Sequence, residues 1–159
     1  VREARSPFGG ELSGHFFFMD NFYGHDDGAI ATLRLLAYLT RVDKSLATVI
    51  DELPKYISSP EIKVGCPDAV KFSLVSEKIG GEIKKLYPEA KYEEMDGVRM
   101  DTESEMLIVR ASQNGPYLTV KFEGKTLDAY NTLKTQVGEI LHKFAEVDFG
   151  SGVNTKALE

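Results

Sequence analysis

The sequence predicts an α+β domain of roughly 90 residues, preceded by a smaller α/β unit. Three observations carry that expectation. A stretch interrupted by Ser58, Ser59 and Pro60 breaks the periodicity at Lys55 to Pro60 and divides the 159-residue chain. On its N-terminal side, one apolar run leads into two runs of helical period. On its C-terminal side, short strand-like runs alternate with two longer amphipathic ones, the pattern of strand, helix, three strands, helix.

The elements follow in order. His15-Phe16-Phe17-Phe18-Met19 is an unbroken apolar run and reads as a strand buried on both faces, as in a parallel sheet. Ile30, Leu33, Leu36 and Ala37 give Ala29 to Thr40 a helical face, with Asp26 or Asp27 as its N-cap. Ser45 caps a second helix, faced by Leu46, Val49, Ile50 and Leu53 and closed by Pro54. Beyond the break, Glu61 to Cys66 is a strand. Pro67 then opens a long helix carried by Val70, Leu74, Ile79, Ile83 and Leu86 and stopped by Pro88. The pair Gly80-Gly81 costs that helix about 1–2 kcal/mol relative to alanines. Tyr92 to Asp101, Met106 to Ala111 and Tyr117 to Glu123 read as strands, and Leu127 to Ala145 as the last helix. Gly150 to Glu159 is polar and glycine-containing and reads as a disordered tail.

Composition bounds the function. Hydrophobic residues at 42% and charged residues at 28% exclude wholesale disorder. With 19 Lys and Arg against 25 Asp and Glu, the net charge of −6 opposes a sequence-independent grip on nucleic acid or an anionic membrane. Any anion must therefore be held by a local site. The single cysteine, Cys66, has no intramolecular partner and reads as a buried inert thiol, which points to a cytoplasmic setting. No apolar stretch approaches the roughly 20 residues of a membrane span. The first residue is Val rather than Met, which reads as a cut within a longer chain.

Two loops hold residues suited to chemistry. In Gly9-Gly10-Glu11-Leu12-Ser13-Gly14-His15, glycines allow close approach to the backbone, Glu11 accepts hydroxyl hydrogen bonds, Ser13 donates and accepts, and His15 offers a titratable nitrogen. That mixture suits a polyol, and the pattern alone fits an ordinary glycine-rich turn as well. In Arg110-Ala111-Ser112-Gln113-Asn114-Gly115-Pro116, Arg110 presents a planar fork of donors, Ser112 and Asn114 add neutral donors, and the turn can aim backbone N–H groups inward. That mixture suits a phosphate, and a polar hairpin turn fits the composition equally. His15, His25, Asp20 and Asp26 share no face that would gather a metal ion. His142, near the end of the last helix, complements its dipole.

Taken together, the loops resemble a family. Gly10-Glu11-Leu12-Ser13-Gly14-His15 is similar to the Gly-Glu-x-Ser-Gly-His sugar-binding loop of the α-D-phosphohexomutases, the phosphomannomutase/phosphoglucomutase enzymes. The Phe-rich strand, Asp26-Asp27-Gly28 and Leu33-Arg34-Leu35-Leu36 look like the segment that follows there. Asp96-Gly97-Val98-Arg99, Val109-Arg110-Ala111-Ser112, Pro116 and Phe122-Glu123 resemble the C-terminal domain with its phosphate-binding loop. The order agrees over residues 8 to 145.

The resemblance implies a four-domain isomerase, an intramolecular phosphotransferase of carbohydrate metabolism that interconverts hexose 1-phosphate and hexose 6-phosphate. Such enzymes use a phosphoserine, Mg²⁺ and a hexose 1,6-bisphosphate intermediate. It implies that residues 1–56 are the C-terminal part of the α/β sugar-binding third domain. Residues 57–148 would be the whole fourth domain, with a TATA-box-binding-protein-like fold, and 149–159 a disordered tail. Glu11 and Ser13 would hold sugar hydroxyls, and His15 would lie beside the sugar and assist proton transfer. Arg110, Ser112, Gln113, Asn114 and Gly115 would grip the phosphate that does not react.

The departures are as informative. Neither the Thr/Ser-Ala-Ser-His-Asn-Pro catalytic segment nor the Asp-Gly-Asp-x-Asp-Arg metal loop occurs in the sequence, so no catalytic serine and no bound Mg²⁺ are expected of this chain alone, which should be inactive. Asn114 stands where a threonine is common. Leu12 fits the phosphomannomutase/phosphoglucomutase pattern, phosphoglucosamine mutase usually having Gln there. The partners implied are the hexose phosphate and the missing N-terminal domains. The alternatives are a phosphoglucosamine mutase, a non-enzymatic phosphosugar- or anion-binding module, and a nucleic-acid-binding α+β domain, which the net charge opposes. Residues 1–55 are expected to expose apolar surface or an unpaired edge, with disorder, partial refolding or self-association as the outcome.

Overall fold

The structure, a computed structural model, describes residues 5–11 and 13–158. The Leu12 reading lies outside the described residues. Contacts divide the chain into two units, Val1–Pro54 and Lys55–Glu159.

In the first unit, β1 (Phe8–Gly10) pairs antiparallel with β2 (Phe16–Phe18), matching Phe8 to Phe18 and Gly10 to Phe16. This corrects the parallel, doubly buried strand expected from the Phe run. The strand folds back on its own upstream glycines, and its three rings are only half-buried. The Phe8 ring centroid lies 5.0 Å from that of Phe18 and 6.1 Å from that of Phe16, so one side of the hairpin is an aromatic surface. Helix α1 (Gly28–Val42) starts where the Asp27 carboxylate accepts from the N–H groups of Ala29 and Ile30. Ser45 does the same for α2 (Leu46–Glu52) through the N–H of Thr48. Neither helix buries a residue, and Leu33 and Leu36 are more than half exposed. Among the described residues, every fully buried apolar side chain belongs to the second unit.

That unit is a seven-stranded antiparallel sheet. It comprises β3 (Ile57–Ser58), β4 (Ile62–Gly65), β5 (Lys91–Glu93), β6 (Gly97–Asp101), β7 (Glu105–Ala111), β8 (Tyr117–Gly124) and β9 (Asp148–Val153). The order is β5-β6-β7-β8-β4-β9, with β3 also on β8. Residues 57 and 58, read from sequence as part of a break, are thus recruited as a short strand. Tyr92 to Asp101 is two strands, β5 and β6, rather than one.

Register sorts the side chains. Ile62, Val120, Val109 and Val98 are cross-strand partners in one row, and Phe122, Leu107 and Met100 in another, all buried. Leu74, Val75, Ile79 and Ile83, with Leu133, Val137, Ile140 and Leu141 of α5 (Leu127–His142), close the core from one side. The alternate residues of β8, Tyr117, Thr119, Lys121 and Glu123, turn away from the helices and stay half-exposed. The alternation in β8 is the strand period of two.

The long helix runs as α3 (Lys71–Ser73), a π-helical segment Leu74–Ile79, and α4 (Gly80–Leu86). Of its two glycines, Gly80 has a packing reason, while a Cβ on Gly81 would meet open space. A Cβ on Gly80 would stand 2.7 Å from the Val98 side chain, so glycine lets the helix approach β6. The Gly80 N–H reaches back to Val75, the five-residue step of a π turn.

The expected disordered tail is a correction. Residues 148–153 form β9, which pairs with β4 at Lys63↔Val153 and Gly65↔Asp148, and a 3₁₀ turn at Thr155–Leu158 buries Leu158 to 7% exposure. The segment is held by the open edge of β4 together with its own apolar side chains, Phe149 packing against the core and Leu158 buried in it. His142 lies exposed in the last turn of α5, as expected, and in addition stacks its ring 4.1 Å from Phe149 of β9 while Nδ1 pairs with the Gly138 carbonyl. Leu158→Ala should cost about 2–4 kcal/mol, seen as a lower urea midpoint by circular dichroism; a disordered tail would leave the midpoint unchanged.

Candidate functional site

The first loop is the tip of the β1–β2 hairpin. The Glu11 N–H donates to the His15 carbonyl and the Gly14 N–H to the Glu11 carbonyl, both at 3.0 Å, and Gly14 takes a φ of 87°, a region that suits glycine. Ser13 Oγ donates to Glu11 Oε2 at 3.2 Å. Glu11, Ser13 and His15 are all exposed, so the tip presents a carboxylate, a hydroxyl and an imidazole to solvent within five residues.

His15 is not free at this tip. Its Nδ1 lies 2.5 Å from Asp26 Oδ2, while Asp26 Oδ1 accepts the Phe16 N–H at 3.1 Å. Asp26, the residue before the N-cap of α1, thus ties that turn to the start of β2, leaving Asp27 to cap the helix. The hydrogen bond that the imidazole donates to Asp26, reinforced by the carboxylate charge, raises His15 above its ordinary pKa, and the same bond lowers the Asp26 carboxyl. Sequence reasoning assigned capping to either aspartate and missed this pair. The nearby cation Arg34 is held by Asp20 at 3.2 Å and lies 4.4 Å over the Phe18 ring, while His25 faces Asp27 at 3.7 Å. The described residues contain no group of three or more His, Cys, Asp or Glu placed to hold a metal. A mostly apolar cavity of about 890 Å³ beside the hairpin is lined by Phe8, Phe16, Phe18, Leu35 and Tyr38, with Thr32 and Arg34 as its polar side chains.

The second loop joins β7 to β8. Ser112 Oγ accepts the Asn114 N–H at 3.0 Å, the Ser112 N–H donates to Tyr117, and the Tyr117 N–H to Gly115, which folds the turn. Lys71, only 4% exposed, reaches across from α3. Its Nζ donates to the Gly115 carbonyl at 2.9 Å and to Asp68 Oδ1 at 2.6 Å. The Cys66 N–H adds a bond to the Pro116 carbonyl. The loop is pinned by groups outside it, and sequence reasoning missed Lys71, whose only cue is the i,i+3 spacing from Asp68.

Arg110, at the end of β7, is half-exposed and pairs with Asp96 at 2.6 Å. It opens with Ser112, Gln113, Asn114 and Tyr117 onto a groove of about 350 Å³. Gln113 and Asn114 are exposed and Ser112 is nearly buried, so the serine's part is structural as well as polar. Cys66 below is buried, and burial pushes its thiol up, away from reactivity. The structure therefore brings Glu11, Ser13 and His15 together at one hairpin tip, and Arg110, Ser112, Gln113 and Asn114 around one groove, while Gly115 sits in the turn behind them with its carbonyl on Lys71.

Comparison with known proteins gives the chain a family. The family model for phosphoglucomutase/phosphomannomutase, alpha/beta/alpha domain III, matches residues 1–56. A phosphomannomutase/phosphoglucomutase of Pseudomonas syringae pv. tomato is 33% identical over 126 residues, 79% of this chain and 26% of the relative. The chain belongs to the phosphohexomutase family. A phosphoglucosamine mutase of Methanococcus maripaludis is 35% identical over 134 residues, 84% of this chain and 29% of that protein. A phosphoglucomutase/phosphomannomutase family protein from Burkholderia thailandensis superposes with a TM-score of 0.72 at 27% identity, covering 93% of this chain and 31% of its own. The chain thus spans a little over a quarter of the length of the curated relatives it matches.

In this phosphohexomutase chain, Asp26→Asn should bring the His15 pKa down toward its ordinary value near 6.5, measured by NMR titration of the imidazole. The unsubstituted pair also has a pH window. Its stabilisation fades as pH rises through the raised His15 pKa, and also as pH falls through the lowered Asp26 pKa.

Proposed function

We propose that this chain supplies the sugar-holding and distal-phosphate-holding part of an intramolecular phosphotransferase that interconverts hexose 1-phosphate and hexose 6-phosphate. The observation that carries the reading is the pinned β7–β8 loop opening, with Arg110 at its mouth, onto the groove. Arg110 would meet phosphate oxygens with its planar fork, and the side chains of Gln113 and Asn114 and the Gly115 backbone would add neutral donors. Lys71 and Ser112 keep the loop in shape before the ligand arrives, so little ordering cost falls on binding.

At the hairpin tip, Glu11 accepts from sugar hydroxyls and Ser13 donates or accepts. The sugar must turn over between half-reactions, and hydroxyl recognition of this adaptable kind serves either orientation. His15, oriented by Asp26, lies beside the sugar and takes up or returns a hydroxyl proton. Binding energy at the distal phosphate positions the reacting one.

A phosphoserine and Mg²⁺ would come from residues outside this sequence. The carboxylates near the hairpin tip do not fit a magnesium site, since Asp26 is bonded to His15, Asp27 caps α1 and Asp20 holds Arg34. Hexose 1,6-bisphosphate fits as the intermediate, one phosphate at the groove while the other reacts. The reading places the protein in the cytoplasm, which its single cysteine suits. A glucosamine phosphate is the second substrate reading, favoured by the 35% identity to a protein of that name.

Titrating the ¹⁵N-labelled chain with glucose 6-phosphate should move the amides of Arg110 to Gly115, and shifts that avoid this loop would sink the reading. Arg110→Met should weaken that binding by about 1.5–3 kcal/mol, the usual worth of a hydrogen bond to a charged group.

A further inference from the structure

The register of three neighbouring strands places a second cation in the phosphate groove. Arg110 of β7 is the cross-strand partner of Thr119 in β8, and Thr119 is the partner of Lys63 in β4. Partners across a ladder point to the same face. Arg110, Thr119 and Lys63 therefore stand in one row on the face turned away from the helices. Adjacent strands are about 4.8 Å apart, so the two cations spring from backbone positions about 10 Å apart, close enough for their long side chains to meet over one phosphate. Lys63 and Thr119 line the same groove as Arg110, Ser112 and Asn114.

The state of Lys63 differs from that of the other cations on this face. Lys121 Nζ is bonded to the Ser59 carbonyl at 2.9 Å, and Arg99 is doubly bonded to Asp101. Lys63 Nζ faces Glu61 Oε1 at 3.5 Å, beyond the 2.7–2.9 Å of a charge-assisted hydrogen bond. It also lies 5.1 Å from the centre of the Tyr117 ring, a position that holds an ammonium over the groove without consuming its donors. Glu61 is a loose counter-ion that an incoming phosphate would have to displace.

We propose that Lys63 is a second cationic contact for the non-reacting phosphate, opposing Arg110 across the Thr119 hydroxyl, with Glu61 as the anion that the phosphate replaces. This rests on the reading of the β7–β8 loop as a phosphate site. It goes beyond that reading because Lys63 belongs to β4, outside the loop, and because no motif singles it out. In a chain of net charge −6, a second fixed cation beside Arg110 adds local attraction for a dianion.

The experiment is an NMR titration of the full 159-residue chain with inorganic phosphate and with glucose 6-phosphate, following the amides of Asn114 and Gly115. Lys63→Met should weaken both ligands about tenfold, near the low end for a lost hydrogen bond to a charged group. Lys63→Arg should restore most of that loss, and Glu61→Gln should strengthen binding by removing the competing anion. Arg110→Met separates the two ideas. If it weakens binding while Lys63→Met does not, the loop reading stands and the role of Lys63 is overturned. If the unsubstituted chain shows no response at the loop, both fall. Should Lys63→Met fail to fold, Glu61→Gln decides: tighter binding supports the proposal, and unchanged affinity overturns it.

Discussion

The register between β4, β8 and β7 is the constraint on which the second unit depends. The row Ile62, Val120, Val109 is buried, and the row one residue along, Lys63, Thr119, Arg110, faces away from the helices. A slip of one position in any of the three strands would bury a cation and expose a valine or isoleucine. Burying an unpaired charge costs several kcal/mol. The hydrophobic core and the polar groove are therefore fixed by the same choice, and the core enforces the placement of Arg110 without touching it.

The loop depends on a second device of a different kind. A buried ammonium is expensive, and Lys71 is tolerated because Asp68 and the Gly115 carbonyl satisfy it. The cost of removing either partner gives the loop its fixed shape. The arrangement at the hairpin tip is looser. His15 and Asp26 are solvent-accessible, so their bond orients a ring rather than stabilising a fold. That contrast runs through the chain: the second unit holds every fully buried apolar side chain among the described residues, and the first holds its loop by one hairpin and one aspartate.

Sequence showed most where chemistry is local. Gly10 to His15 and Arg110 to Gly115 were legible as loops with donors and acceptors, because turn residues and their functional side chains are adjacent in the chain. The helix faces and the alternation of Tyr117 to Glu123 were legible from their periods. What remained hidden is decided across distance. Nothing in Asp26-Asp27 says which carboxylate caps and which turns back eleven residues to His15. Gly150 to Val153 looks like a tail because two of its four residues are glycine and a third is serine, yet an open edge of β4 takes it as a strand. Lys71 reads as an ordinary helix surface residue, and only the fold shows that its ammonium meets a carbonyl 44 residues away. Lys63 is the clearest case: its neighbour Arg110 is two strands distant, a relation that exists only once the register is known.

The acidic balance then acquires a physical meaning. Each cation near the groove carries its own acid, Arg110 with Asp96, Lys63 with Glu61 and Lys71 with Asp68. For Lys71 the acid is structural, because the ammonium is buried. For Arg110 and Lys63 both partners are accessible, so each pair is worth little in water and is easily exchanged. A phosphate entering the groove would trade two weak ion pairs for contacts with both cations at once, while Asp96 and Glu61 return to solvent. The net gain is modest compared with binding to bare cations. On the proposed reading that modesty is useful, since a bisphosphate that has to turn between half-reactions must let go of this groove as readily as it is taken up.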